Sequence, residues 1–372
     1  MYLKLEKEVA VYEEKLANMF DFMPTERENQ NIFLVEIAIL ICYIKRKYDL
    51  FYIKNSSGDN IQVSQLISYI KEFTEISSLI GVQCMILCDL TDEISINNFI
   101  LFYDFFYSLL EWGIHNKNKM IYLKILSENK QIVMKLLMPH KALKYELPKY
   151  LQNDIKSLKG FFKKESIEDI TEICLYLKKH DEKRLRNIEN DIEKLLYIKI
   201  ESHDIYSGKL TLLLQAIRNN VWPNDEIFNV IKLGGLKNID KDKAIKSENK
   251  LKKLIYEYKQ SDVKIQIKGN LPENEHISFN LVKILQEAIA NSIIHGYANE
   301  VYVKILSDEK QVIMQVTDNS GIVTTEIEEG GGITGMRNRL SKLNGILNID
   351  TKEQFKLTVA IPKKEDNIGR IN

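Results

Sequence analysis

Apolar residues recur at helical spacing in segment 182–220, and further along the chain they alternate with polar residues in short runs. The helical spacing predicts a long amphipathic helix, which Pro223 ends. A second helix is predicted from Asp225 to about Lys259, so the two form a helical hairpin whose apolar seam needs a partner. The apolar positions of the first helix are Leu185, Ile188, Ile192, Leu195, Leu196, Ile200, Leu210, Leu213, Leu214 and Ile217.

The alternating runs after this hairpin predict strands. They are VKIQIKG (263–269), EVYVKILS (300–307), KQVIMQVTD (310–318) and, as two final strands, ILNIDTKEQFKLTVAIP (346–362). Between them, HISFNLVKILQEAIANSIIHG (276–296) and GITGMRNRLSKLNG (332–345) have helical spacing. This order predicts an α+β fold with a mixed sheet that helices cover on one face.

A repeat of this pattern lies earlier in the chain. IYLKILSENKQIVM (121–134) matches VYVKILSDEKQVIM (301–314) without a gap. The match extends upstream to 82–90 against 263–271, and downstream from 150–162 against 335–347 to 177–179 against 362–364. At the front, 31–45 aligns with 204–218 more weakly. We interpret this as a tandem duplication, roughly 1–179 followed by 180–372.

The composition excludes several classes of protein. The 372 residues include 52 Lys and Arg and 52 Asp and Glu, so the net charge is zero and a broad nucleic-acid footprint is not expected. No apolar run is long enough to predict a membrane span. The four cysteines all lie in the first half, without the spacing of a disulfide framework or a zinc site. We therefore expect a soluble, reduced, cytoplasmic protein.

Three polar residues of the second copy share one predicted helical face. Glu287, Asn291 and His295 are spaced i, i+4, i+8. A carboxylate and an amide one turn apart suit a hard cation beside phosphates, although a solvated polar stripe would look the same. Asp318 ends a strand, and the glycine-rich GGGITGM (330–336) could let a backbone approach phosphates closely. The three features in this order favour a nucleotide site.

Residues 260–365 resemble the ATP-binding domain of sensor histidine kinases, a GHKL-type fold, with QEAIAN (286–291) similar to its N box. The resemblance implies ATP and Mg²⁺ as cofactors, with Asn291 as the Mg²⁺ ligand, Glu287 as the acid and Asp318 as the adenine reader. In the first glycine box, DNSGI departs from the family's D-x-G-x-G, and Gly321 could serve after a one-residue shift. The second glycine box is matched at Gly330, Gly332, Gly335, Met336 and Arg337.

The helix before this domain carries a second resemblance. ESHDIYSGKLTLLLQ (201–215) is similar to the dimerisation helix of the nitrate-sensor and lipid-fluidity-sensor subfamily, with His203 at the phospho-accepting position and Asp204 beside it. A neutral imidazole can attack phosphorus, and a neighbouring carboxylate can hold one ring N–H. Gly208 stands where the subfamily often has the residue that assists phosphatase activity, so that activity is not expected.

The resemblance implies a protein-histidine kinase that autophosphorylates His203 and passes the phosphate to a response regulator receiver domain. Two alternatives stay open. One is a GHKL serine/threonine kinase of the anti-sigma type, against which the helical hairpin argues. The other is a pseudo-kinase scaffold or inhibitor with weak or no ATP binding, which the altered first glycine box allows.

The first copy lacks the residues that carry the resemblance, so we expect it to keep the fold without the nucleotide and to bind a regulatory ligand or protein. The predicted domains are a degenerate hairpin (1–76), a degenerate ATPase-like domain (77–179), the phosphoacceptor hairpin (180–258) and the GHKL domain (259–372). The two hairpins would pair into an intramolecular four-helix bundle, which makes a monomer reacting in cis; a homodimer is the alternative. In the alignment, Gln30, Tyr107, Glu111, Met138 and His115 replace His203, Glu287, Asn291, Asp318 and His295.

Overall fold

The computed structural model describes residues 2–56, 60–90, 93–139, 142, 144–167, 170–179, 192–223, 225–232, 246–260, 262–321, 331–351 and 355–363. The chain forms two compact units, 1–199 and 200–372. This division falls twenty residues after the predicted boundary at 179, and the intervening segment 180–191 lies outside the described residues. We call these regions unit 1 and unit 2.

Unit 1 begins with helices and continues into a sheet with helices between its strands. The helices are Tyr2–Met19 (α1), Arg27–Ser56 (α2), Val63–Ser78 (α3), Ile96–His115 (α4) and Lys149–Ser157 (α5), with a short 3₁₀ turn at Phe20–Phe22. The strands are Asn60–Gln62 (β1), Gln83–Cys88 (β2), Glu93–Ser95 (β3), Met120–Glu128 (β4), Gln131–Pro139 (β5), Phe161–Ile167 (β6) and Ile170–Lys178 (β7).

From its third helix onward, unit 2 repeats the order that unit 1 has from α3 onward, except that its described residues contain no counterpart of the short strand β3. Its helices are Ile192–Arg218 (α6, which includes the division between the units), Asp225–Lys232 (α7), Ser247–Gln260 (α8), Glu275–Ile294 (α9) and Gly331–Ser341 (α10). Its strands are Lys264–Lys268 (β8), Glu300–Ser307 (β9), Gln311–Asp318 (β10), Ile346–Asp350 (β11) and Lys356–Pro362 (β12). The predicted single helix 225–259 corresponds to α7 and α8, and residues 233–245 between them lie outside the described part. No described helix is long and apolar enough to cross a bilayer.

The two five-stranded sheets have the same topology. Their strand orders are β2-β4-β5-β7-β6 and β8-β9-β10-β12-β11. In each sheet the first pair is parallel and the remaining pairs are antiparallel. Apolar residues of the alternating strands, such as Val312, Met314 and Val316, are fully buried beneath the helices. The predicted α+β fold with a mixed sheet is confirmed.

The strand registers follow the sequence repeat closely and correct it at the end. Ser127 pairs with Ile132 and Ser307 with Val312, an offset of 180 residues. In the last strands Lys178 pairs with Gln131 and Pro362 with Gln311, so the offset there is 184 and not the 185 of the sequence alignment. The connection between the last two strands therefore differs by one residue. The duplication itself stays a prediction.

Helices α4 and α9 also correct the alignment by one residue. Ser95 caps α4 by accepting from the Asn98 N–H, and Asn274 caps α9 by accepting from the Ile277 N–H, an offset of 179. After the helix, the bond from Asn118 N–H to Gly113 O closes five residues, whereas the bond from Ala298 N–H to Ser292 O closes six. The extra residue lies in this turn. Counted from the caps, Ser108, Trp112 and Asn116 stand opposite Glu287, Asn291 and His295.

Helix α2 packs on α4 in the direction opposite to that of α6 on α9, whereas α1 contacts α4 in the same direction as α6, with Tyr12 against Tyr107 and Lys15 against Glu111. In unit 1, contacts of α2 with α4 run from Glu36–His115 through Tyr43–Tyr107 to Lys47–Asp104, which is antiparallel. In unit 2, contacts of α6 with α9 run from Glu201–Lys283 to Arg218–Ile293, both numbers rising together. The predicted alignment of 31–45 with 204–218 therefore has no counterpart in the packing. Gln30, predicted opposite His203, lies in the first turn of α2 and donates to the carbonyls of Pro24 and Thr25.

Candidate active site

Helix α9 holds the three residues of the predicted polar face at different depths. Glu287 is buried, Asn291 is half-buried, and His295 is exposed at the C-terminal cap, where its N–H donates to the Asn291 carbonyl oxygen at 3.0 Å. A solvated stripe would leave all three exposed. The burial of Glu287 shows that this face is covered by other parts of unit 2.

Gly332 in the first turn of α10 lies directly against Glu287. A Cβ added at Gly332 would be 1.8 Å from Glu287 Oε1, so any larger side chain would displace the carboxylate. The amino end of a helix presents free N–H groups and a partial positive charge, which suits a carboxylate or a phosphate. The glycine-rich segment therefore brings a helix terminus to the face of α9 that carries Glu287. Gly330 lies outside the described residues.

Asp318 ends β10 and is 6% exposed. Its Oδ1 accepts from the Ser320 N–H at 2.9 Å. Its Oδ2 is buried and has no hydrogen-bond partner among the described residues. A buried carboxylate oxygen without a donor is costly unless a ligand supplies one, and an exocyclic amino group is such a donor. Gly321, three residues on, has φ +63°, the left-handed conformation that glycine adopts most readily.

The other predicted residues of the second glycine box lie further along α10. Gly335 has open space where a Cβ would be, and Met336 is buried at 2% exposure. Arg337 donates from Nη1 to the Leu347 carbonyl oxygen at 3.4 Å, which ties the helix to β11. Met336 and Arg337 thus fix α10 on the sheet, while Gly332 and Gly335 keep one side of it free of side chains.

His203 lies on α6 against the same face of α9. It is 8% exposed, and its Nδ1 is 3.6 Å from Glu287 Oε2. One ligand atom from each of His203, Asp204 and Glu287 lies within 4.8 Å of the other two. The candidate phosphoacceptor and the candidate nucleotide residues therefore belong to one compact unit.

The Asp204 carboxylate was expected to hold a ring N–H of His203, but in the structure it lies against two cations. Its Oδ2 is 2.5 Å from Arg339 Nη2 and 3.6 Å from Lys283 Nζ, so its carboxylate is held by two cations. Consecutive residues of an α-helix diverge by about 100°. For this reason Asp204 turns toward the cations, and the carboxylate that faces the imidazole Nδ1 is Glu287. Burial raises the pKa of Asp204, an effect that the Arg339 and Lys283 charges partly offset.

Sequence reasoning missed the cations of this cluster. Glu201 completes it, at 3.5 Å from both Lys283 and Arg339. Lys283 precedes Glu287 by four residues and so continues the polar face one turn back, which was a usable signal. Arg339 carried no such signal, because its partners lie 135 and 138 residues earlier in the chain.

Part of the chain is similar in sequence to sensor histidine kinases. No protein-family model matches it. It is 40% identical to the sensor histidine kinase DesK of Bacillus subtilis (strain 168) over 91 residues, 24% of either chain. It is 36% identical to the signal transduction histidine-protein kinase/phosphatase DegS of Brevibacillus brevis over 89 residues, 23% of either chain. The match thus spans about a quarter of these relatives' length.

Among solved structures, the chain is similar to the histidine kinase domain from the Erythrobacter litoralis EL346 blue-light activated histidine kinase. The identity is 16%, the TM-score is 0.32, and the match covers 47% of this chain and 89% of that one. The resemblance to sensor histidine kinases predicted from the motifs is confirmed by the curated relatives.

Proposed function

We propose that this chain, part of which is related to sensor histidine kinases, is a protein-histidine kinase that uses Mg-ATP to phosphorylate His203. The observation that carries the proposal is the 3.6 Å contact between His203 Nδ1 and Glu287 Oε2. It supports a reaction in cis, because His203 and the candidate nucleotide residues lie in the same unit.

The residues of unit 2 fit a nucleotide. Asp318 Oδ2 would accept the hydrogen bond of the adenine amino group, and Asn291 would hold Mg²⁺, which neutralises phosphate charge when bound. Gly332 and the first turn of α10 would receive the phosphates, since a helix terminus without side chains suits them. Gly330, Gly335 and His295 would border the same site.

Glu287 would position and deprotonate His203. A carboxylate facing Nδ1 favours the tautomer with the proton on Nδ1, which leaves the Nε2 lone pair to attack phosphorus. As the Nε2–P bond would form and the bond from the γ-phosphorus to the ADP oxygen would break, the imidazole would become more acidic and Glu287 could take the Nδ1 proton, with ADP leaving. Asp204 would act indirectly, since its ion pairs with Arg339 and Lys283 fix the turn of α6 that carries His203.

The remaining roles follow from the family. The phosphate would pass from His203 to an aspartate of a response regulator receiver domain. Unit 1 would be a degenerate copy that arose by tandem duplication, and the shared topology and register of the two sheets support this. The opposite direction of α2 and α6 limits that support to the sheets and the helices between their strands.

The test is incubation of the full chain with radiolabelled ATP and Mg²⁺, wild type beside His203→Gln. A label that is stable to alkali, labile to acid and absent from the variant is expected. Acid-stable label would instead indicate a GHKL serine/threonine kinase. No label together with no ATP binding would leave a pseudo-kinase scaffold or inhibitor and overturn the proposal.

A further inference from the structure

Unit 1 contains a cavity of about 940 Å³ that its predicted loss of nucleotide binding leaves unexplained. The cavity lies between α1, α2, α4 and the segment that precedes α5. Ser108 and Trp112 of α4 line it. Counted from the helix caps, these are the positions of Glu287 and Asn291 in unit 2. The cavity thus occupies the place in unit 1 that corresponds to the candidate nucleotide site.

The charge of the cavity is the opposite of what a nucleotide needs. Four carboxylates line it, against one lysine and one histidine. Lys15 pairs with Glu111, and His115 Nδ1 is 3.3 Å from Glu36 Oε1. The other two carboxylates are Glu14 and Glu146, and neither forms an ion pair with any described residue. The lining is therefore net negative whatever the protonation of His115, and it would repel phosphates and attract a cation.

The cavity wall is also apolar and aromatic. Phe22 is 83% exposed and Val11 63% exposed, so both offer apolar surface to a ligand in the cavity. Phe33 and Trp112 also line the cavity, and Trp112 packs edge-on against Tyr145 with ring centroids 6.0 Å apart. Aromatic faces attract cations, and a desolvated ammonium gains most from them.

Burial of one of these carboxylates, Glu36, also favours the binding of a cation. Burial raises the pKa of Glu36, and the charge of His115 partly offsets this. A carboxylate held partly dehydrated in this way gains more from a cation than one in open water does. Glu36 is thus a favourable partner for a positive charge bound in the cavity.

We propose that this cavity binds an organic cation, an ammonium group attached to an apolar body. The ammonium would lie among the carboxylates, and the apolar body would cover Phe22, Phe33 and Trp112. The volume is of the size that holds a small-molecule ligand. This site belongs to unit 1 alone and does not depend on the proposed kinase activity.

Tryptophan fluorescence of the full chain tests the proposal. The chain has two tryptophans, so a Trp222→Phe variant leaves Trp112 as the reporter. The variant is titrated with hexyltrimethylammonium, with neutral 1-hexanol and with hexanoate, and calorimetry repeats each titration. We expect the cation to bind about tenfold more tightly than the alcohol, and hexanoate more weakly than either. Equal affinity for cation and alcohol, or no binding of the cation at millimolar concentration, overturns the proposal.

Charge-neutralising variants locate the site. Glu14→Gln with Glu146→Gln should weaken cation binding about tenfold and leave alcohol binding unchanged. Both residues are exposed, so the fold is not at risk. Glu128→Gln, an exposed change at the end of β4 outside the cavity, is the matched control and should bind as the parent does. Cation affinity equal in the double variant and the control would place the binding elsewhere and refute the assignment.

Discussion

Two sheets of the same topology support two different helix interfaces in this molecule. On α4 of unit 1, α2 presents an aromatic ring at the centre of the contact: Tyr43 stacks on Tyr107 with centroids 3.9 Å apart. On α9 of unit 2, α6 presents His203 to Glu287 at 3.6 Å. The sheet topology and register are shared, whereas α2 lies on α4 in the direction opposite to that of α6 on α9. The side chains that meet the central helix therefore depend on which helix lies on it, and the shared sheet topology does not determine them.

Both units also contain a cluster of buried charges, but the two clusters join different elements. In unit 1, Arg46 of α2 pairs with Asp49 at 2.7 Å within its own helix, and with Glu72 of α3. In unit 2, Arg339 of α10 pairs with Asp204, the residue beside His203. One cluster joins scaffold helices, and the other joins the candidate phosphoacceptor helix to the helix that follows the glycine-rich segment.

The largest expected effect is the loss of His203 labelling when Asn291 of unit 2 is replaced. Asn291→Ala removes the proposed Mg²⁺ ligand, so we expect labelling of His203 from ATP to fall by about a hundredfold or more. Asn280→Ala is the matched control, since Asn280 lies on the same helix and its amide donates to the His276 carbonyl oxygen at 2.8 Å. It should retain labelling. Equal labelling in the two variants would show that α9 does not hold the metal.

Removal of either buried arginine should test whether the two charge clusters differ in function as well as place. Arg339→Met leaves Glu201 and Asp204 buried with one cation, and Arg46→Met leaves Asp49 buried, so each should lower the free energy of unfolding by about 3 kcal/mol. Urea denaturation measures this. Only Arg339→Met should also slow His203 labelling, and loss of labelling in Arg46→Met at full folding would contradict the distinction.

The free energy of unfolding of the Arg339→Met variant should also depend on pH, through the protonation of Asp204. Burial raises the pKa of Asp204, so the folded state holds its proton more tightly than the unfolded state does. Between the unfolded and folded pKa values, stability then falls as the pH rises. Without Arg339 the pKa should rise further. Acidification from neutrality should therefore restore part of the lost stability, and a stability difference between variant and wild type that does not change with pH would argue against a buried, charged Asp204.

Exchanging the residues at equivalent strand ends of the two sheets, Gly269 and Cys88, should have unequal effects on the free energy of unfolding. The φ of Gly269 is +102°, and an added Cβ would be 2.0 Å from the Ile305 carbonyl oxygen. In unit 1 the sequence repeat places Cys88 there, paired with Ile125 in ordinary register. Gly269→Cys should lower the free energy of unfolding by about 2 kcal/mol, and Cys88→Gly by about 1 kcal/mol or less. Equal small effects in urea titrations would show that this strand end can relax.

Much of the fold could be predicted from the sequence because its signals are local. Alternation in 300–307 and 310–318 corresponds to β9 and β10 within one residue, and the repeat anticipated their register in unit 1. The one-residue shifts at α4 and at β7 could not be predicted, since they arise in turns with little sequence identity. The direction of α2 was missed for a similar reason: helical periodicity shows which face is apolar but not which way the helix lies on its neighbour.

The candidate site was predictable where its residues lie on one element. Glu287 and Asn291 share a helical face, and Gly332 follows from the glycine cluster. The pairing of Asp204 with Arg339 could not be predicted, because the two residues are 135 positions apart in sequence. Adjacency in sequence favoured Asp204 as the partner of His203, whereas the helix turns that carboxylate away and brings Glu287 instead.

The smallest predicted effect concerns Gly208, in the interior of α6 five residues after His203. Glycine there costs about 0.5 to 1 kcal/mol relative to alanine. An added Cβ would be 2.9 Å from Gln286 Nε2, the mobile end of a flexible side chain, so Gln286 can move aside. Gly208→Ala should therefore raise the free energy of unfolding by about 0.5 kcal/mol. Gly113→Ala on α4 of unit 1 is the comparison, because the atom nearest to its added Cβ is also the end of a flexible side chain, Met138 Cε at 3.3 Å. If Gly208→Ala alone lost stability, α6 would have to lie against α9 too tightly for Gln286 to move aside.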